Sequence, residues 1–236
     1  MKGKGARAAI FYCAVVSLFL FGTLLGNKTV ETISEMMPME RLHRIVIDAG
    51  HGGVDGGAVS CSGKNESSFN LQIALRLNDL MHLIGYDTVM IRSTDTSVYT
   101  SGQTIAQKKV SDLKQRVTIV NRTQNAVLVS IHQNTFPESQ YSGAQVFYSK
   151  SSGSEELAKL LQEELVACLN PGSSRKAKQG SGIYLLDKTT APGVLVECGF
   201  LSNPQEEQAL RTPEYQKKIC CVISAAVARF LASGKV

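Results

Sequence analysis

Apolar runs and amphipathic stretches alternate along the chain from residue 44 onward. Six apolar runs predict strands, and they occupy residues 45–47, 88–92, 126–132, 143–149, 183–186 and 193–197. The first, third and last runs are nearly uninterrupted and rich in branched aliphatic residues. This pattern is typical of strands whose sheet is covered on both faces.

Five stretches between these runs carry apolar residues at helical spacing. They predict helices over residues 66–84, 111–123, 154–169, 203–210 and 212–231. The first predicted helix ends at Gly85, Ser111 is the predicted N-cap of the second, and the polar residues 93–109 predict a loop. The alternation predicts a single α/β domain with a twisted, mostly parallel sheet of about six strands and helices on both faces.

The first 27 residues follow a different pattern. Three basic residues within the first seven positions precede an uncharged run over residues 8–27. The run is long enough to span a bilayer and longer than the usual apolar core of a signal peptide. Leu24 is a poor −3 residue for cleavage after Gly26, so we interpret residues 1–27 as an uncleaved signal-anchor. The basic flank should stay in the cytoplasm, which places the rest of the chain outside.

Length, charge and cysteine content limit the remaining choices. The polar residues 28–42 predict a linker, and residues 43–233 suffice for one domain within a chain of 236 residues. The net charge of +5 is spread along the chain, and its one tight basic cluster, Arg175, Lys176 and Lys178, has no interleaved aromatic residues. We therefore expect no nucleic-acid binding. No C-x-x-C pair occurs among the six cysteines, which we expect to be mostly small buried residues.

Three predicted strands end in side chains that can bind a metal or transfer protons. His51 follows the first strand in a glycine-rich loop, His132 ends the third, and Glu197 ends the last. Ligands of open α/β sheets collect at the carboxyl ends of strands, so these side chains should converge. Two imidazoles and one carboxylate, with a fourth position open, are a usual ligand set of catalytic zinc. The glycine spacing around His51 fits neither dinucleotide-binding nor P-loop motifs.

Two glutamates compete for the place of the third ligand. Glu66 heads the first predicted helix, where the helix dipole favours a carboxylate, and Glu197 ends the last strand. Chemistry on a zinc-bound water also needs a free carboxylate that accepts the proton of the water and passes it to a leaving group. The residues alone leave the two roles open, and Glu66 could also be a helix-terminal acid. Cys198 is disfavoured as a nucleophile, because it points to the opposite strand face and no histidine is placed to activate it.

Several motifs together resemble the zinc-dependent N-acetylmuramoyl-L-alanine amidases of the type 3 class, over residues 44–231. They are IDAGHGGVDGGA at 47–58, Glu66 ahead of a helix, RSTD at 92–95, LKQR at 113–116, SIHQN at 130–134 and PGVLVECGFLSNPQEE at 192–207. The resemblance implies hydrolysis of the amide bond that joins N-acetylmuramic acid to L-alanine in peptidoglycan.

The same resemblance implies a division of roles at the site. His51, Glu66 and His132 are expected to bind one Zn²⁺ per chain, and Glu197 is expected to act as the general base and acid. Asn134 and Asn203 lie in matching motifs and are expected to bind substrate. Asn203 could equally be a helix cap.

The compact layout, with an N-terminal anchor and no wall-binding repeats, is similar to that of the membrane-anchored spore-cortex amidases. These enzymes remove stem peptides so that muramic-δ-lactam can form, and the resemblance implies a role in germination. It also implies an extracytoplasmic location, in the space between the forespore and mother-cell membranes. The expected partners are peptidoglycan, the membrane and an accessory extracytoplasmic protein.

Three alternatives stay open at this point. The chain could be a septal or turnover autolysin of the same class, or another zinc amide hydrolase such as a peptidase. It could also be a non-catalytic, membrane-tethered protein that binds the cell wall. Retention of His51, His132, Glu66 and Glu197 argues against the non-catalytic alternative.

Overall fold

Long apolar strands form the centre of a six-stranded sheet in the computed structural model, which describes residues 43–234. The strands are β1 (Arg44–Ala49), β2 (Asp87–Met90), β3 (Ala126–Asn134), β4 (Gln145–Tyr148), β5 (Lys178–Gln179) and β6 (Gly193–Phe200). Their order is β2-β1-β3-β6-β4-β5. In this spatial order, β2, β1, β3 and β6 run parallel to one another. Strand β4 is antiparallel to β6 and parallel to β5. This confirms the predicted α/β domain with a mostly parallel sheet.

Helices cover both faces of the sheet. They are α1 (Glu66–Leu83), α2 (Ile105–Arg122), α3 (Ser154–Leu169), α4 (Tyr184–Lys188), α5 (Pro204–Leu210) and α6 (Pro213–Ala232). The larger core packs α1, α3 and α6 on one face, against side chains such as Ile47, Val129 and Val196. The smaller core packs α2 and α4 on the other face, against Leu128 and Leu195. Alternate residues of the strands are thus buried on opposite faces, as their unbroken apolar character predicted.

Helix α2 begins earlier than its apolar spacing predicted. Its N-cap is Thr104, whose side chain accepts a hydrogen bond from the Gln107 backbone, while the Gln107 side chain accepts one from the Thr104 backbone. This reciprocal capping box starts the helix inside the polar stretch that predicted a loop. Ser111 therefore lies within the helix, where its hydroxyl accepts hydrogen bonds from the backbone of Thr100 and Ser101.

The strand predicted at residues 183–186 is wrong. The chain forms the short helix α4 there, and Leu185 and Leu186 are buried in the smaller core. A run of four apolar residues is compatible with a short buried strand and with one buried turn of helix. Its pattern therefore does not tell the two apart. The two-residue strand β5 was not predicted, because it is too short to show a periodic pattern.

Two of the five described cysteines are buried. Cys198 and Cys220 are buried, but Cys61, Cys168 and Cys221 are exposed, so the expectation that most cysteines are buried is wrong for the described ones. The predicted signal-anchor at 1–27 and linker at 28–42 lie outside the described residues. Within residues 43–234, no helix is both long and apolar enough to cross a membrane.

Candidate functional site

Three of the predicted site residues meet at the carboxyl edge of the sheet. His51 lies in the loop after β1, Glu66 is the first residue of α1, and His132 lies near the end of β3. One potential ligand atom from each lies within 4.8 Å of the other two. The cluster joins parts of the chain that are distant in sequence, because β1 and β3 are adjacent in the sheet.

Glu66 lies between the two histidines. Its Oε2 is 3.2 Å from His51 Nε2, and its Oε1 is 2.9 Å from His132 Nδ1. The same carboxylate accepts hydrogen bonds from the Ala58 and Gln133 backbone. Burial by itself raises the pKa of Glu66, but the contacts with His132 and His51 outweigh burial and hold the pKa far below its ordinary value. Glu66 is therefore a buried carboxylate, which suits it as an anionic metal ligand.

Glycines in the His51 loop leave the space that this close approach needs. A Cβ atom at Gly57, whose φ is +70°, would lie 2.6 Å from Glu66 Oε2 and 2.7 Å from His51 Cδ2. A Cβ atom at Gly50 would lie 2.2 Å from His132 Nε2. His51 itself has a φ of 61°, which is uncommon for a residue with a side chain. Gly50 and Gly57 thus leave the volume that the imidazoles and the carboxylate occupy.

Asp55 contacts His51 on the side away from Glu66. Its Oδ2 is 2.9 Å from His51 Nδ1, and Lys109 Nζ is 3.2 Å from the same oxygen. Burial opposes ionisation of Asp55, but His51 and Lys109 lower its pKa below the ordinary value. We assign the His51 proton to Nδ1, where it bonds to this carboxylate. His51 Nε2 is then free to bind a metal beside Glu66.

Replacing Asp55 with asparagine is expected to weaken metal binding by about 10–100-fold, because His51 loses the anionic partner that fixes its tautomer and ring orientation. Competition with a chromogenic chelator, with Zn²⁺ as the probe, measures the affinity. Lys109→Met is the control. Lys109 is half exposed, so its loss should change the affinity by less than about fivefold. An Asp55→Asn protein with unchanged affinity would contradict the positioning role.

Glu197 faces the same cluster from the neighbouring strand. It pairs with His132 in the β3–β6 register. Its Oε2 is buried and has no hydrogen-bond partner among the described residues. Burial is the main cause that raises the pKa of Glu197 to about 7; the charge of Glu66 also raises it, while His132 and His51 lower it. A carboxylate with a free oxygen and a pKa near neutrality can accept and return a proton.

The family model described as N-acetylmuramoyl-L-alanine amidase matches residues 45–229. The chain belongs to this amidase family. The germination-specific N-acetylmuramoyl-L-alanine amidase of Bacillus subtilis is 41% identical to the chain over 189 residues, which cover 79% of the chain and 78% of that relative.

Solved structures agree with the assignment. The CwlD amidase from Clostridioides difficile, solved in complex with the GerS lipoprotein, is 38% identical and superimposes with a TM-score of 0.77 over 81% of this amidase and 99% of that chain. The catalytic domain of CwlV from Bacillus (Paenibacillus) polymyxa is 30% identical, with a TM-score of 0.69 over 80% of this amidase and 98% of that chain. The amidase therefore shares both the fold and the family of these enzymes.

The described residues of the amidase fit a single metal ion. His51, Glu66 and His132 offer two imidazole nitrogens and one carboxylate to one point, which is a common catalytic ligand set. Glu197 is not part of this ligand set, and its unpartnered oxygen can act in proton transfer instead. A cleft of about 230 Å³ is lined in part by His51, His132 and Tyr184, so two of the three candidate ligands border it.

Asn134 and Asn203, the predicted substrate-binding residues, both make hydrogen bonds to the backbone. Asn134 ends β3, and its side-chain oxygen accepts a hydrogen bond from the Thr135 backbone. Asn203 is the N-cap of α5, and its amide also donates to backbone carbonyls of Ser139 and Tyr141. The helix-cap alternative for Asn203 is thus observed. Substrate binding by either asparagine stays a prediction.

Cys198 and two arginines show what the sequence could and could not indicate. The Cys198 thiol is buried in the larger core, and burial raises its pKa well above the ordinary value, so it does not fit the role of a nucleophile. Sequence reasoning assigned no role to Asp55, which lies in the His51 loop, or to Arg92 and Arg116, which contact that loop. The available signal was their presence in the matching motifs.

Proposed function

We propose that this amidase uses one Zn²⁺, held by His51, Glu66 and His132, to hydrolyse the bond between N-acetylmuramic acid and L-alanine in peptidoglycan. The observation that carries the proposal is the convergence of the three ligand atoms within 4.8 Å beside the unpartnered, buried oxygen of Glu197. When bound, zinc supplies Lewis acidity that polarises the scissile carbonyl and makes a water molecule acidic near neutral pH.

Glu197 performs the proton transfers in this proposal. Its Oε2 accepts a proton from the attacking water as the new carbon–oxygen bond forms. The same carboxyl then delivers the proton to the L-alanine nitrogen as the carbon–nitrogen bond breaks. Glu197 begins the cycle as a base, because a divalent cation held by His51, Glu66 and His132 would favour its ionised form. Asp55 holds the His51 ring in orientation throughout.

The cortex peptidoglycan of developing spores is the proposed substrate, and the product is needed for germination. Support comes from the relatives: the chain covers most of the length of a germination-specific amidase and nearly all of the CwlD structure. This similarity favours the cortex role over that of a septal or turnover autolysin.

The amidase acts outside the cytoplasm, where peptidoglycan lies, and we propose that residues 1–27 anchor it to the membrane. We also propose an accessory extracytoplasmic protein, because CwlD of Clostridioides difficile was solved in complex with a lipoprotein. Full activity of the purified protein on intact sacculi, without any partner, would contradict the need for such a protein.

Digestion of purified peptidoglycan by the full-length, zinc-loaded protein in mild detergent tests the reaction. Mass spectrometry of the soluble products should show stem peptides that begin with L-alanine. Free amino acids or internally cut peptides would instead indicate a peptidase. Protein that sediments with sacculi and releases no peptide would indicate a wall-binding role.

The cortex assignment has its own test. Spores of a strain that lacks the gene should contain cortex without muramic-δ-lactam and should fail to complete germination. A normal lactam content would contradict the cortex role while leaving the amidase reaction unaffected.

A further inference from the structure

Arg92 is a buried arginine that bonds to the backbone rather than to carboxylates. It follows β2 and is 3% exposed. Its guanidinium donates four hydrogen bonds to backbone carbonyls, which belong to Ala49 (2.7 Å), Gly50 (3.0 Å), Ser67 (2.9 Å) and Thr94 (3.0 Å). Burying a charged group is costly unless its donors are satisfied, so this arrangement calls for a reason.

The first reason lies at the edge of the sheet. The ladder between β1 and β2 ends with the hydrogen bond from the Ile91 backbone to the Ile47 carbonyl, at 3.0 Å. The next carbonyl on that side of β1 is that of Ala49, and Arg92 Nε donates to it. The Arg92 side chain thus supplies the hydrogen bond to β1 that the backbone of β2 no longer provides.

The second reason concerns the two segments that carry metal ligands. A single nitrogen, Nη2 of Arg92, donates to the carbonyls of Gly50 and Ser67. Gly50 directly precedes His51, and Ser67 directly follows Glu66. One planar group therefore bridges the His51 loop and the first turn of α1 at the positions next to their ligands.

The backbone on the far side of His51 also packs against Arg92. Gly52 has a φ of +131°, and a Cβ atom there would lie 2.8 Å from Arg92 Nε. The loop is therefore held against the guanidinium both before and after the histidine. Metal and catalytic sites need ligands held within about 0.5 Å of the productive geometry, and such contacts supply that restraint.

We propose that Arg92 is a positioning residue that sets the separation of the His51 loop and Glu66, and through it the metal affinity of the site. The inference rests on the proposed metal site. Lysine cannot replace arginine here, because a single ammonium lacks the planar fork that reaches several carbonyls at once. A purely structural role would instead lower stability without changing the affinity of the folded protein.

The full-length Arg92→Lys protein in mild detergent tests the proposal. Chelator competition, at a temperature well below the melting temperature, should show zinc binding at least about 10-fold weaker than in the wild type. The visible spectrum of the Co²⁺-substituted protein should also change, because it reports the ligand geometry directly. Ile223→Val, in the core of α6 and remote from the site, is the control and should keep the affinity within about twofold.

A second variant covers the case in which Arg92→Lys does not fold. Arg92→Ala leaves a space that ethylguanidinium can fill, so this cation should restore zinc affinity while ethylammonium should not. Lower stability with wild-type affinity and an unchanged Co²⁺ spectrum would overturn the proposal. Equal rescue by both cations would also overturn it. A wild-type protein that binds no zinc would instead overturn the proposed metal site, and the inference with it.

Discussion

Replacing Glu197 with glutamine is expected to lower kcat by about 10²–10⁴-fold while the protein keeps its zinc. Glutamine has nearly the same shape but cannot accept the proton that the mechanism assigns to Glu197 Oε2. That oxygen is buried and unpartnered, so no structural hydrogen bond is lost at this atom with the substitution. Release of stem peptides from peptidoglycan measures the rate, and metal analysis after gel filtration measures the zinc content.

Glu207 offers a control with the same chemical change. It is also buried, but its carboxylate bonds to Ser60, Ser62 and Arg211, away from the metal ligands. Glu207→Gln should therefore reduce stability and leave kcat within about threefold at a temperature where the protein is folded. A Glu197→Gln protein with near-normal kcat would show that another group moves the proton.

Replacing Glu66 with glutamine is expected to weaken zinc binding by more than the 10–100-fold that loss of an outer partner causes. The carboxylate contacts both His51 Nε2 and His132 Nδ1, so the substitution removes the only anionic ligand in the proposed set. Activity should fall together with zinc content. Excess Zn²⁺ should restore part of it if the fold is intact.

Metal removal and a charge-conserving substitution test the same role of Glu66. Chelator-treated wild-type protein should lose activity and regain it fully with Zn²⁺, which shows that metal removal alone is reversible. Glu66→Asp keeps the charge but shortens the side chain, so its zinc affinity should lie between those of the wild type and Glu66→Gln. One zinc per chain at wild-type affinity in Glu66→Gln would exclude Glu66 as a ligand.

Elements with a long, uninterrupted pattern were predicted well. The apolar runs of β1, β3 and β6 and the amphipathic stripes of α1, α3 and α6 all occur where the spacing placed them. Among the shorter elements, β2, β4 and α5 were predicted near their observed places, but α4 and β5 were not, because two to five residues do not define a period. The helix α4 was taken for a strand for this reason, and the start of α2 depends on a capping box inside a polar stretch.

The site was predictable in part. His51, His132 and Glu197 stood out because each lies at the end of a predicted buried strand or just after it, and parallel strands end at the same edge of the sheet. The sequence left the roles of Glu66 and Glu197 open. In the structure, Glu66 contacts both histidines, whereas Glu197 has a free oxygen with a raised pKa; this difference supports the proposed roles.

The sequence by itself determined the fold class, the family and the set of residues that can bind metal, because these depend on local periodicity and on motifs that each lie in one segment. Only the tertiary structure decided which atoms face one another. Arg92 and Lys109 reach the His51 loop through contacts 42 and 54 positions apart in the chain. Such contacts arise from the packing of α2 and the end of β2 against β1, and the pattern along a single segment carries no record of them.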